Sequence, residues 1–155
     1  MIQRIQSLYL LLATAMMSLT LFLPLATFVY GGNELILKGF TIGGIEGFPH
    51  PLPTYLGILL TATTILLIVI IFLYKKRMVQ IRLCVSTIAL LLGSATIIGL
   101  YCYRLWSLLS EMSYEVIVTI GFASLMPVVA IIPVALAIRC IARDEALIRS
   151  LDRIR

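Results

Sequence analysis

This chain predicts an all-α fold, a polytopic membrane protein with four transmembrane helices, and three observations predict it. Hydrophobic residues make up 61% of its 155 residues and charged residues only 12%, against usual values of about 45–50% and 25%. Four long stretches contain no Asp, Glu or Lys. The basic residues gather beside the ends of those stretches. A soluble fold of this size needs more polar surface to cover its core. Lipid removes that need, because apolar side chains can then face outward.

The stretches run over 8–30, 55–74, 83–103 and 116–142. Each is long enough for a helix to cross about 30 Å of hydrocarbon, which takes roughly 20 residues. Helices are the default, since a single spanning segment must satisfy its own backbone groups. Arg139 is the one charged residue within them, and it stands near an end, from where it can reach the headgroups. The first stretch follows Arg4, as in a secretion signal. Its apolar run is longer than the ~7–15 residues of such a signal and no small-residue cleavage site follows, so it is expected to stay as an anchor. Pro24, Pro127 and Pro133 each remove a backbone bond and are expected to shape helix packing.

Between the first two spans lies an outer loop, 31–54, rich in Gly and Pro. Residues 34–38 and 40–42 can pair there as a short hairpin, which would lean on the helix ends because two strands alone are marginal. The run Pro49-His50-Pro51-Leu52-Pro53 favours extended backbone leading into the second span. The second outer loop, 104–115, reads as a short helical turn or interfacial cap, with Trp106 and Tyr114 suited to the headgroup zone. The chain closes in a tail, 143–155, whose Leu147, Ile148, Leu151 and Ile154 share one helical face. It is expected to be a cytoplasmic amphipathic helix, either continuing the fourth span or bending away at the surface. It serves as an interfacial anchor or as a docking handle. The whole is expected to be one membrane domain followed by this tail.

Ten Lys and Arg residues fall on the side of the two termini and the 75–82 loop, and two, Lys38 and Arg104, on the other. Basic loops stay in the cytoplasm, so both termini are expected there. The net charge of +5 follows this topology and forms no nucleic-acid patch.

Chemistry is sparse. Membrane enzymes and ion-coupled transporters hold ionisable groups inside the bilayer, where they are costly and persist for use. Here every Asp and Glu reads as loop or tail, so catalysis and proton coupling within the membrane are not expected. His50 has only Glu46 nearby, too few groups for a metal site. Gly39 and Gly44 have the glycine spacing of a phosphate loop, but Ile45 stands where its Lys should be. Cys84, Cys102 and Cys140 lack disulfide or zinc spacing and read as packing residues. Thr61, Thr63 and Thr64 of the second span, with Ser86, Thr87, Ser94 and Thr96 of the third, either bond within helices or line a conduit. Ala89 with Gly93, and Ala95 with Gly99, are small-x-x-x-small pairs that admit a close helix. That helix is expected to be another span of the chain, with a second copy or a foreign subunit as the alternative.

The opening Met1-Ile2-Gln3-Arg4-Ile5-Gln6-Ser7-Leu8-Tyr9-Leu10-Leu11-Leu12, the segment Phe22-Leu23-Pro24-Leu25 and the closing stretch from Arg143 to Arg155 resemble the domain of unknown function 4293 family, small four-span membrane proteins of Bacteroidota. The resemblance covers the whole chain. It implies a four-span architecture in a bacterial inner membrane and carries no catalytic residues. Both ends lie on one side in this topology, so Gln3, Arg4 or Gln6 is expected to meet Asp144, Glu145 or Asp152.

The expected function is that of a non-enzymatic accessory or scaffold subunit without cofactor. Its partners would be membrane lipids and another membrane or envelope protein, or itself. The alternatives are a small transporter or channel-like protein, and a lipid-handling enzyme using His50 and Glu46.

Overall fold

The computed structural model describes residues 3–43, 53–74, 76–112 and 115–152. Four helices dominate it: α1 (Gln3–Phe22), α2 (Thr54–Phe72), α3 (Arg77–Met112) and α4 (Met126–Asp152). Each contains a segment long and apolar enough to cross a membrane. They pack in a ring, α1 against α2 and α4, and α3 against α2 and α4.

The buried positions explain the ring. Along α1 they are Gln6, Leu10, Ala13, Met17 and Thr20; along α4 they include the line Ala130, Val134, Ala137, Ile141 and Asp144. On α3 they run Gln80, Cys84, Thr87, Leu91, Ser94 and Ile98. These steps alternate between three and four, the repeat that packs helices side by side in a left-handed supercoil. The opposite faces are apolar too: Phe22 is 79% exposed and Phe72 74%. Helices apolar all round suit burial in lipid or in a larger core.

The chain is not all helical, which corrects the all-α expectation. A four-stranded antiparallel sheet, in the order β3-β2-β1-β4, is built from β1 (Ala26–Tyr30), β2 (Asn33–Leu37), β3 (Ile42–Gly43) and β4 (Val116–Ile120). Two of these strands fall inside expected spans. The first span ends at Phe22 because the residue before Pro24 is biased out of the helical region and Pro24 has no N–H to donate. The run Ala26–Tyr30, with β-branched Thr27 and Val29 and aromatic Phe28 and Tyr30, then extends, and Gly31 and Gly32, both at positive φ (52° and 83°), turn it back. Two positive φ values in a two-residue loop make the turn whose twist suits a hairpin. The expected pairing of 34–38 with 40–42 survives in part, as β2 against a shorter β3 that begins at Ile42, with Leu37 opposite Ile42 and Ile36 opposite Gly43.

At the other junction, Val116–Ile120 pairs with β1, Phe28 opposite Val118. A 3-10 turn, Phe122–Leu125, leads into α4. Residues 104–112 form no separate turn: α3 continues to Met112, a helix of 36 residues, about 54 Å long at 1.5 Å per residue, and Tyr114 lies outside the described residues. The helix outruns a hydrocarbon core and packs on β1 and β4. Phe28, Leu35 and Leu37 are fully buried. At the far end, the described part of the tail continues α4 to Asp152 rather than bending away. Pro133 lies within α4 without ending it.

Gly121 N–H donates to the Leu25 carbonyl at 2.8 Å. Alternation along the ladder then turns the Thr119 and Ile117 backbone groups toward β1 and those of Val116, Val118 and Ile120 to the open edge. Proline tests this phase. Thr119→Pro removes a ladder bond, a loss of about 1 kcal/mol before strain, whereas Val118→Pro removes only an outward N–H. Thr119→Pro should therefore lower the thermal midpoint in detergent clearly more than Val118→Pro. Equal losses would mean the phase is wrong.

Candidate functional site

Three buried polar side chains lie at the end of the bundle where α1 begins and α4 ends. Gln6 and Asp144 occupy core positions of α1 and α4, 8% and 6% exposed. Gln6 Nε2 donates to Asp144 Oδ2. Asp144 Oδ1 is buried with no hydrogen-bond partner. Gln80, at the first core position of α3, donates through Nε2 to the Ile70 carbonyl at 3.2 Å. That carbonyl lies in the last turn of α2 and also accepts the Leu73 N–H at 3.2 Å, so Gln80 adds a donor from the neighbouring helix at an end where carbonyls run short of partners.

Asp144 changes one expectation. Its carboxyl reads in the sequence as part of a solvated tail, yet it is buried in a packed helix. Glu145 beside it is half-buried. The side chains of Arg4 and Asp152 lie outside the described ones, as do Glu46 and His50 in the 44–52 segment. Gln80 went unread in the sequence. Its signal was its place in the three-four repeat of buried positions along α3.

The hydroxyls turn back on their own helices. Thr61, Thr63 and Thr64 donate to the carbonyls of Gly57, Leu59 and Leu60 at 2.7–2.8 Å. Thr87 donates to Leu83 at 2.8 Å, Ser94 to Leu91 at 2.8 Å and Thr96 to Leu92 at 2.8 Å. Such bonds spend the hydroxyl donor on the backbone. Among the described residues no group of His, Cys, Asp and Glu could hold a metal ion. Cys84, Cys102 and Cys140 are free thiols; Cys84 is buried in the core, the others half-buried.

Among the described residues, no other helix closely approaches the two glycines of the expected α3 pairs. A Cβ placed on Gly93 or Gly99 would meet no atom within 4 Å. Ala89 and Gly99 are exposed, Gly93 and Ala95 half-buried. The close approaches fall on other glycines. A Cβ on Gly57 would lie 2.3 Å from the Phe40 ring, and one on Gly121 2.3 Å from the Pro24 carbonyl.

An apolar ring of four span-length helices, carrying a small sheet at one end and a buried polar pair at the other, defines a class: small polytopic helical proteins. The chain belongs to the family described as Domain of unknown function (DUF4293), whose model matches residues 2–154. No curated protein matches the chain.

Proposed function

We propose that the chain crosses a bacterial inner membrane four times, with both termini in the cytoplasm and the sheet outside. There it acts as a non-enzymatic accessory or scaffold subunit that binds another membrane or envelope protein. The outward face of α3 carries this reading. Gly93 and Gly99 stand in open space, and small residues let a second helix come close enough for backbone-level packing. The ten-to-two bias of Lys and Arg toward the end of the termini supports the orientation. The hydroxyl bonding pattern favours a subunit over a conduit, since the donors of Thr61, Thr63 and Thr64 are already spent.

The test is a gentle-detergent purification of the tagged protein from its native membrane, with mass spectrometry, on wild type and on a Gly93→Leu/Gly99→Leu variant. Wild type should carry a second protein in stoichiometric amount. The variant should lose it by tenfold or more while its thermal midpoint holds, because the added side chains enter open space. A wild type that purifies alone, as monomer or homodimer, removes the reading and turns attention to transport assays. A partner retained by the variant moves the contact away from α3.

A further inference from the structure

We propose that the Gln6–Asp144 pair is a latch that holds α1 and α4 together at the end of the bundle where the chain's termini lie. Breaking the pair opens that end while the sheet end stays shut.

The two ends of the α1–α4 seam are secured differently. At the sheet end, α1 runs into β1 and β4 runs into α4, so the β1–β4 ladder ties the helices through backbone bonds. Gly121 N–H to the Leu25 carbonyl extends that tie to the helix ends. At the terminal end no connection joins them, because α1 begins the described chain and α4 finishes it. Between the ends, small side chains alternate along the seam with the fully buried Leu10, Met17, Val134 and Ile141. Ala13 and Ala137 stand one heptad further in from Gln6 and Asp144, and Thr20 and Ala130 one heptad beyond. All four are fully buried. Thr20 spends its hydroxyl on the Met16 carbonyl of its own helix.

Gln6 and Asp144 therefore meet where the seam has no backbone tie. Their bond is direct, between side chains far apart in sequence. It is also incomplete. Asp144 Oδ1 is buried and lacks a donor, and an unsatisfied buried acceptor weakens the closed state relative to one that water can reach. A pair that is bonded on one oxygen and deprived on the other closes the seam without welding it. The helical stretch of α4 beyond Asp144 moves with it.

Spin-label distances on the full chain test this, in a background with Cys84, Cys102 and Cys140 replaced by Ala. One pair of labels goes on Leu8 and Ala142, exposed positions of α1 and α4 near the latch. A second pair goes on Leu19 and Ile132, exposed positions near the sheet end. In the parent both pairs should give one narrow distance. Gln6→Leu and Asp144→Leu should each add a longer, broader population at the Leu8–Ala142 pair and leave the Leu19–Ile132 pair unchanged. Unchanged distances at the terminal end in both variants overturn the latch. So does broadening at both ends together, which reports a general loss of structure. The readout needs no partner protein, so the latch and the subunit reading stand or fall separately.

Discussion

Gly121→Ala should destabilise this protein more than any other single-methyl change. Its backbone (φ −70°, ψ 145°) is one that alanine adopts freely, so the penalty is one of space alone. The new methyl would sit 2.3 Å from the Pro24 carbonyl oxygen and 3.0 Å from that of Leu25. Both obstacles are backbone. Neither can swing aside as the Phe40 ring can over Gly57, where that ring is 44% exposed. Overpacking costs about 1–3 kcal/mol, and strain on the Gly121–Leu25 hydrogen bond adds about 1 more. A total of roughly 2–4 kcal/mol is expected as a fall in thermal midpoint in detergent. Gly93→Ala is the control of opposite sign. It lies within α3 with nothing within 4 Å, and replacing a helical glycine by alanine gains about 0.5–1 kcal/mol. Equal effects at the two sites would mean that Gly121 does not lie against the Pro24 and Leu25 backbone.

The second large effect is expected at Phe28. Its ring is fully buried on the inner face of β1, and α3 packs on that strand. Truncating a buried Phe to Ala costs about 3–5 kcal/mol through lost burial and the cavity left behind. Phe22→Ala and Phe72→Ala remove the same ring from positions 79% and 74% exposed. There the change should stay within about 0.5 kcal/mol. Phe28→Ala should also loosen the sheet before the helices, read as early proteolysis in the hairpin while the helical circular-dichroism signal persists. Comparable losses at all three positions would deny the sheet a core of its own.

Four apolar stretches were legible from composition because a membrane-spanning helix needs little beyond length and the absence of charge. Of the sheet only the β2–β3 pairing was legible; β1 and β4 were not, since Ala26–Tyr30 and Val116–Ile120 are as apolar as the helices beside them. Their signals were local and were available. Pro24 ahead of one strand reads as a helix stop, and Gly31-Gly32 between two β-rich runs reads as a hairpin turn. Charges misled at the top of α3. Arg104 and Glu111 resemble the start of a loop, yet both stand on α3, which runs on to Met112. The meeting of Gln6 and Asp144 was visible only as a choice among several terminal residues. Narrowing it takes the three-four repeat, which makes both of them core positions. The openness around Gly93 and Gly99 could not be read, because a small-residue spacing looks the same whichever helix it meets.

The most direct test of the account is the placement of its two ends across a membrane. Single cysteines at Glu34, exposed on β2, and at Met78, exposed at the start of α3, would replace the native thiols. A membrane-impermeant maleimide would be added to intact cells and to permeabilised ones. The account predicts labelling of the Glu34 site in intact cells and of the Met78 site only after permeabilisation. Labelling of both sites in intact cells, or of the Met78 site alone, would contradict it.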